Sequence, residues 1–293
     1  VYLQAGYHVG CYTSPHLMRY NERVRVNNVE ISDDDLCVAF EAIEQARGDI
    51  ALTYFEIGTL AAMWHFCQAN LDVVILEVGL GGRLDAVNVF SATCSIVTTI
   101  DLDHMDYLGD TREKIGFEKA GIFRKNALAI CGDENPPQSL LDHAKKISAP
   151  LKLINRDFVV KKTIQAWHYS AEGHELLLPN LAMQGDFQLR NAACVVCATQ
   201  YLNTILPVSL ANIHAAFKTV TLIGRFYQIC TQPTIIVDVA HNPHAAASLA
   251  HNLKAMPCAG KTFAVFAMLA DKDIEGVIKA VTPNINQWFV ADN

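Results

Sequence analysis

The sequence lacks long apolar runs and an excess of basic residues. None of its apolar runs reaches the about 20 residues of a membrane-spanning helix, so we expect no membrane partner. Lys and Arg number 23 against 30 Asp and Glu, and the net charge of −7 argues against nucleic acid as a partner. A small anionic ligand stays compatible with this charge, because it needs only a few local cations.

Charged residues are also scarce, at 18% of the 293 positions, whereas hydrophobic residues make up 51%. This composition predicts a well-buried core, and the length suggests two domains of ~100–200 residues each. The nine cysteines follow no disulfide-like spacing, so we interpret them as reduced thiols of a cytoplasmic protein. Cys194 and Cys197 fall within a helical pattern without a second cysteine pair, which favours core packing over a metal or redox site.

Apolar runs of strand length alternate with helical patterns through the first half of the chain. The β-branched run at 72–80 predicts a parallel strand that is covered on both faces. Further strands are predicted at 8–13, 94–100 and 127–131, and helices at 54–68, at 112–123 and after the N-cap residue Ser32. The alternation predicts an α/β fold with a doubly wound, mostly parallel, ATPase-like domain.

The pattern changes after residue 150. Polar and apolar residues alternate over 150–182, which predicts antiparallel strands, and helices are predicted at 186–202 and 209–217. GRFYQI at 224–229 is interpreted as a connecting segment, after which strand and helix patterns resume. We therefore predict a central domain over 1–222, a linker over 223–230 and a second, incomplete Rossmann-like domain over 231–293.

Acidic residues and histidines follow the predicted parallel strands, at the sheet edge where α/β proteins bind ligands. Glu77 ends one strand and is typical of an acid that holds magnesium beside ATP, or of a polar strand cap. Asp101, Asp103, His104 and Asp106 follow the next strand and suit a divalent cation or a solvated acidic loop.

Two further loops carry candidate residues. GLGGR at 79–83 departs from the dinucleotide fingerprint, and we interpret it as a tight turn that lets backbone approach a ligand. In the second domain, Asp238 ends a strand and His241 follows it. Asn242 and Pro243 come next and are typical of a helix N-cap and first turn.

Several motifs in this order resemble folylpolyglutamate synthases, in particular the bacterial bifunctional dihydrofolate synthase/folylpolyglutamate synthases of the Mur ligase superfamily. The matching stretches are TSPHLMRYNERVRVN (13–27), TYFEIGTLAA (53–62), LEVGLGGRLDAVN (76–88), DLDHMDYLG (101–109), FEKAGIFR (117–124), GRF (224–226), DVAHNPHA (238–245) and MLADKD (268–273). Each is weak alone, but together they cover nearly the whole chain in family order.

The resemblance implies a monomeric, ATP-dependent ligase that joins L-glutamate to dihydropteroate and to tetrahydrofolate. The substrate carboxylate attacks the γ-phosphate, and the glutamate amine then displaces phosphate from the acyl phosphate. By resemblance Ser14, Glu77 and His104 hold Mg²⁺, and Lys119 corresponds to a family lysine that is carbamylated. Glu77, His104 and Lys119 are the candidate catalytic residues. From the residues alone, Lys119 is a solvated helix residue.

The resemblance also assigns binding residues. Thr53, Tyr54, Phe55 and Glu56 correspond to one pterin-binding stretch of the family, and Leu84, Asp85 and Ala86 to another. Asn191, Arg225 and Asp238 correspond to nucleotide contacts, and His241 lies beside them in sequence.

One family motif is missing. No G-x-x-x-x-G-K-[ST] phosphate loop occurs in the sequence, and the first residues match the end of the helix that follows this loop in the family. We therefore expect a fragment that lacks the first strand and phosphate loop, stops early in its second domain, and binds ATP poorly.

Four alternatives remain open. The first is that the chain is another Mur-type amino-acid ligase, and the second is that it is a folylpolyglutamate synthase without dihydrofolate synthase activity. A metal-dependent hydrolase built on 101–106 leaves DVAHNP and GRF unexplained. A non-catalytic folate-binding remnant is disfavoured by the presence of Glu77, His104, Lys119 and Asp238.

Overall fold

The computed structural model describes residues 1–256 and 258–292. The chain divides into two compact units, one formed by 1–178 with 193–216 and the other by 179–192 with 217 onward. Among the described residues, no helix has the length and apolar character to cross a membrane.

The first unit begins with a mixed sheet. Its strands are β1 (Val9–Tyr12), β2 (Val24–Val26), β3 (Val29–Glu30) and β4 (Val73–Leu76), in the order β3-β2-β1-β4. β1 pairs parallel with β4 and antiparallel with β2. Tyr12, Val24 and Phe66 lie in the hydrophobic core of this region.

Helices α1 (Asp33–Arg47) and α2 (Tyr54–Gln68) begin where the sequence supplies N-caps. The Ser32 side chain accepts a hydrogen bond from the Asp35 N–H, as predicted. Thr53 and Glu56 form a reciprocal capping box at the start of α2. The helix begins and ends where the sequence predicted.

A second, parallel sheet is formed by β5 (Cys94–Val97), β6 (Leu128–Cys131) and β7 (Leu151–Leu153). The helices α3 (Met105–Leu108), α4 (Arg112–Ala120) and α5 (Gln138–Ile147) belong to the same part of the chain. Ile100, Ile115 and Leu140 lie in its core. The β–α alternation and parallel pairing of this region confirm the predicted α/β class.

The remainder of the unit includes the sheet β10-β9-β8, built from β8 (Phe158–Lys162), β9 (Ala166–Ala171) and β10 (His174–Pro179). The helices α6 (Asp186–Tyr201) and α7 (Leu210–Thr219) follow, of which residues 193–201 and 210–216 belong to the first unit. Cys194 and Cys197 are buried within α6, which confirms their interpretation as core residues.

The second unit contains β11 (Tyr227–Thr231) and β12 (Thr234–Val237), an antiparallel pair, and β13 (Phe263–Phe266) and β14 (Gln287–Val290), a parallel pair. Its helices are α8 (Pro243–Ala255) and α9 (Ile274–Val281). Asn242 caps α8 and Pro243 occupies its first turn, as predicted. Ala246, Val277 and Val281 form the centre of its core.

Three local predictions are wrong. The strand predicted over 72–80 is confined to Val73–Leu76, and Val74 and Ile75 are 40% and 46% exposed because β4 is an edge strand of the described sheet. Residues 151–153 pair parallel with β6, although alternation suggested an antiparallel strand. Residues 227–229 of the predicted connecting segment are not irregular but form part of β11, because their backbone pairs with β12.

Candidate active site

Ser14 and Glu77 lie side by side because they follow neighbouring parallel strands. Tyr12 of β1 is in register with Leu76 of β4, and the Glu77 N–H donates to the Tyr12 carbonyl over 2.9 Å. The Ser14 N–H donates to Oε2 of Glu77 over 2.8 Å. The backbone of Ser14 and the carboxylate of Glu77 thus meet where β1 and β4 end.

The GLGGR turn at 79–83 joins this sheet edge to helix α4. A Cβ on Gly82 would lie 2.8 Å from the Glu118 carbonyl oxygen, so only glycine permits this approach. The Arg83 N–H donates to the same oxygen over 2.8 Å, and the Arg83 guanidinium binds the Glu118 carboxylate at 2.9 Å. The predicted tight turn is therefore fixed directly to the helix that carries Lys119.

More hydrogen bonds tie the following segment to the end of α4. Asn88 donates from Nδ2 to the Gly121 carbonyl over 3.1 Å, and Arg124 donates to Oδ1 of Asn88 over 2.8 Å. The chain from 83 to 88 is thereby attached to 118–124 at both ends.

Asp85 stabilises the turn from within. Its Oδ2 accepts the N–H groups of Gly79 and Leu80 at 3.0 and 2.9 Å, and its Oδ1 accepts the Val87 N–H at 2.9 Å. Leu84 beside it is 80% exposed, and Ala86 starts a short 3₁₀-helix. Of this predicted pterin-binding stretch, Leu84 presents the most open apolar surface.

The acidic loop after β5 is shaped by its own backbone. The Asp101 and Asp103 carboxylates accept the N–H groups of Leu102 and His104, at 2.8 and 2.9 Å. His104 has a left-handed backbone with φ of 50°, and its Nε2 lies 3.9 Å from Oδ1 of Asp103. The loop therefore presents an imidazole and a carboxylate close together.

Lys119 is half-buried in the last turn of α4. Burial lowers the pKa of its ammonium group, and the negative charge of Asp103 opposes part of that shift. The interpretation of Lys119 as a fully solvated helix residue is therefore wrong. The helix pattern did not reveal the burial, because Lys119 faces the acidic loop of a different element.

The side chains at the ends of β1, β4 and β5 offer hard oxygen donors and one imidazole. Within residues 1–256 and 258–292, no group of three or more His, Cys, Asp or Glu side chains is arranged to hold a metal ion. The Ser14–Glu77 pair and the Asp103–His104–Lys119 group are each suited to supply part of a coordination sphere. That donor chemistry fits Mg²⁺, which typically takes one or two carboxylates and completes its shell with water and phosphate oxygens.

The first predicted pterin stretch combines exposed and structural residues. Thr53 and Glu56 are engaged in the capping box, with the Thr53 N–H donating to Oε2 of Glu56 over 2.6 Å. Phe55 packs against Tyr12, with ring centroids 6.0 Å apart, and lies against Gly79. Tyr54 is 64% exposed, so it is the member available to stack on a flat ring.

Sequence reasoning did not single out Arg23, which lies beside the predicted pterin residue Tyr54. Arg23 is only 8% exposed, and its Nε donates to Nδ1 of His16 over 2.9 Å. Its guanidinium lies over the rings of Tyr20 and Tyr54, at 5.4 and 5.8 Å from their centroids. The quoted stretch TSPHLMRYNERVRVN contained the signal, since it holds His16, Tyr20 and Arg23 together.

In the second unit, Asp238 follows β12 and organises the loop around it. Its two carboxylate oxygens accept the N–H groups of Phe226 and Ala240, at 2.7 and 2.8 Å. Burial raises the pKa of Asp238, whereas these hydrogen bonds and the charge of Arg225 oppose the rise. Arg225 is exposed next to this carboxylate.

His241 and Asn191 complete the predicted nucleotide set. His241 is exposed, and its Nδ1 lies 3.0 Å from the Val239 carbonyl oxygen, two residues from itself. Arg225, Asp238 and His241 therefore share one loop region at the end of β12. Asn191 is bonded within α6, where its Nδ2 lies 3.4 Å from Oε1 of Gln188.

Comparison with known families supports both parts of this description. Residues 40–199 match the Mur ligase middle domain, and residues 224–293 match the glutamate ligase domain of Mur ligases. The chain is also 45% identical over 291 residues to the dihydrofolate synthase/folylpolyglutamate synthase of Escherichia coli, covering 99% of this chain and 68% of that protein. This chain belongs to the dihydrofolate synthase/folylpolyglutamate synthase family of Mur ligases.

Other members of the family are similar over the same extent. The dihydrofolate synthase/folylpolyglutamate synthase of Haemophilus influenzae is 43% identical over 306 residues, which covers 98% of this chain and 69% of that one. The structure of E. coli FolC in complex with ADP superposes with a TM-score of 0.94 at 45% identity, covering 99% of this chain and 69% of that one. The resemblance predicted from the motifs is confirmed.

A second solved structure carries ligands that bear on the site. A bifunctional folylpolyglutamate synthase/dihydrofolate synthase with Mn, AMPPNP and L-glutamate bound has a TM-score of 0.90 and 42% identity, covering 98% of this chain and 69% of that one.

Proposed function

We propose that this chain is an ATP-dependent ligase that adds L-glutamate to dihydropteroate and to tetrahydrofolate. The observation that carries this proposal is the pairing of Ser14 with Glu77 at the sheet edge, in a family member 45% identical to a bifunctional enzyme. Solved relatives bound to ADP with DHPP, and to Mn, AMPPNP and L-glutamate, support the same substrates here.

The reaction joins a carboxylate and an amine. A carboxylate oxygen of the folate substrate attacks the γ-phosphorus of ATP, the bond to ADP breaks, and an acyl phosphate forms. The glutamate amine then attacks the acyl carbon, loses a proton and expels inorganic phosphate. Catalysis of such a transfer depends mainly on substrate positioning and on neutralising phosphate charge.

We assign a divalent cation, Mg²⁺, to the Ser14, Glu77, His104 and Lys119 region. When bound, it would neutralise charge on the ATP phosphates. Glu77 supplies a hard carboxylate oxygen, and its hydrogen bond from the Ser14 N–H fixes that oxygen. His104 has a left-handed backbone, and its imidazole lies close to the Asp103 carboxylate in the loop after β5.

Lys119 is proposed to be carbamylated, as in the family that the motifs indicate. A carbamate forms from the neutral amine, and burial favours that form by lowering the pKa of Lys119. The modification would turn a half-buried cation into an anion suited to the neighbourhood of a metal ion.

The remaining residues are assigned to binding. Tyr54 presents an exposed ring to the pterin, and Leu84 presents an exposed apolar side chain. The neighbouring residues hold these two in place: Thr53, Phe55, Glu56, Asp85 and Ala86. Arg225, Asp238 and His241, with Asn191, are proposed to bind the nucleotide. The exposed guanidinium of Arg225 is suited to phosphate oxygens.

We also propose the division into a middle domain over 1–222, a linker over 223–230 and a glutamate ligase domain over 231–293. The ranges of the two family matches support the two domains. The strand β11 shows that residues 227–230 of this linker are ordered by pairing with β12.

The test is ADP release by the full-length protein with ATP, Mg²⁺ and L-glutamate, run with dihydropteroate and separately with tetrahydrofolate. Glutamate-dependent release with both pterins supports the bifunctional ligase. Release with tetrahydrofolate alone would make the protein a folylpolyglutamate synthase only. Binding of ATP without turnover of either pterin would contradict the folate assignment and favour another Mur-type ligase.

A further inference from the structure

Ile100 is the last residue before the acidic loop, and it lies beyond the end of the β5 ladder. Its side chain is 1% exposed. Its N–H donates to Oδ2 of Asp133 over 2.7 Å, and its carbonyl accepts from Nε of Arg112 over 2.9 Å. Both backbone groups of this residue are therefore satisfied by side chains from two other elements.

Arg112 and Asp133 are also bound to each other. Nη2 of Arg112 lies 2.8 and 2.9 Å from the two carboxylate oxygens of Asp133. The same Nη2 donates to the Asn135 carbonyl over 3.1 Å, and Oδ1 of Asp133 accepts the Asn135 N–H over 2.9 Å. The Asp133 side chain is 5% exposed and the Arg112 side chain 40%, so a buried carboxylate is paired with a partly exposed guanidinium.

Arg112 is the first residue of α4, and Lys119 follows it by seven positions. Residues seven apart lie on the same face of an α-helix, about 10 Å apart along its axis. One face of α4 thus binds the Ile100 carbonyl through Arg112 at the start of the helix. The same face carries Lys119, near Asp103, at the end of the helix.

We propose that Arg112 and Asp133 are positioning residues of the ligase site, holding Ile100 so that Asp101, Asp103 and His104 leave the sheet at a fixed place relative to Lys119. This inference rests on the proposed function for the role of that loop. Neither residue contacts the substrates in this account; both act through the backbone of Ile100.

The chemistry of the brace explains why both residues are needed. A guanidinium supplies separate donors, in a fixed plane, to the Ile100 carbonyl and to a carboxylate, which a lysine ammonium reproduces poorly. A carboxylate accepts from Ile100, Arg112 and Asn135 at once, whereas an amide at Asp133 would lose acceptor capacity and charge. Each substitution therefore weakens the brace without adding bulk.

The experiment compares Arg112→Lys and Asp133→Asn with a matched control, Arg156→Lys. Arg156 also binds an aspartate, Asp157, at 2.7 Å and a backbone carbonyl, that of Leu151, but it does not touch the acidic loop. Three quantities are measured on each protein: Mn²⁺ affinity by electron paramagnetic resonance of the free ion, amide exchange of peptides covering 98–108, and the thermal midpoint.

We expect Mn²⁺ affinity to fall about 10-fold in both brace variants, the lower end of what loss of an outer supporting contact costs a metal site. Exchange over 98–108 rises in these variants while exchange in β6 stays at the wild-type rate. The control variant Arg156→Lys changes neither the Mn²⁺ affinity nor the exchange over 98–108. Arg112 is a partly exposed residue at the start of α4, so Arg112→Lys still tests the proposal if Asp133→Asn does not fold.

Unchanged Mn²⁺ affinity and unchanged exchange over 98–108 in the brace variants would overturn the proposal. A uniform rise in exchange through β5, β6 and β7 would also overturn it, because the pair would then be a general structural element. Failure of the ligase assay does not produce either result, so the two proposals fail separately.

Discussion

The Ser14 N–H and Oε2 of Glu77 are 2.8 Å apart, although 63 positions separate them in the chain. The parallel pairing of β1 with β4 produces this contact, since Tyr12 and Leu76 are partners in register. A backbone donor thus holds the Glu77 carboxylate in place at the sheet edge.

Glu77→Gln should weaken Mn²⁺ binding by about tenfold or more, and lower ligase activity, because an amide lacks the charge that a divalent cation requires. The amide oxygen still accepts from Ser14, so the thermal midpoint should stay close to that of the wild type. Glu30→Gln, whose carboxylate lies 3.6 Å from Arg25, is the control. Equal Mn²⁺ affinity in Glu77→Gln and in the wild type would contradict the metal assignment.

Lys119 is expected to carry the carbamate. After equilibration with ¹³C-bicarbonate, the wild-type protein should give a carbamate resonance that Lys119→Ala lacks. Lys125→Ala should retain the resonance, since Lys125 is exposed on the loop after α4. If the resonance persists in Lys119→Ala, the modification lies on another amine.

Gly82→Ala should destabilise the first unit by about 1–3 kcal/mol, the usual cost of forcing an added group into a packed site. The new Cβ would meet the Glu118 carbonyl at 2.8 Å and push the turn away from α4. Urea denaturation measures the change. Gly260→Ala is the control, because a Cβ there has no neighbour within 4 Å; an equal loss in both variants would show that the contact with Glu118 is unimportant.

Asp238 should make stability depend on pH. Burial raises its folded-state pKa above the unfolded value, so the folded state binds more protons and stability falls as pH rises through the folded pKa. The unfolding free energy of the wild type relative to Asp238→Asn should therefore decrease as the pH rises from the ordinary Asp pKa of about 3.9 through the raised folded-state pKa. A difference that is constant over this range would mean that the carboxylate titrates alike in both states.

Local sequence signals predicted the elements that depend on local contacts. The bounds of α2 follow from its apolar helical pattern, and the cap of α8 follows from Asn242 and Pro243. The positions of Glu77 and His104 after strands were also readable, because β-branched runs mark where parallel strands end. The motifs supplied the family, which the comparisons confirm.

Contacts between distant segments were not readable in the same way. The exposure of Val74 and Ile75 depends on which strands flank β4, and the pairing of β7 depends on β6. The brace on Ile100 joins residues from three elements, and nothing in the local pattern around Asp133 indicates it. The roles proposed for the site residues stay predictions until the variants above are measured.

The hydrogen bonds between 83–88 and 118–124 have a consequence for the integrity of the chain. They close a loop over residues 89–117, whose two ends are joined by the Arg83–Glu118 and Asn88–Gly121 contacts. The exposed residues around 101–107 lie inside that loop. A protease that cuts there would sever the polypeptide but leave the two fragments clamped together, so the nicked protein should still migrate as one species until it is denatured.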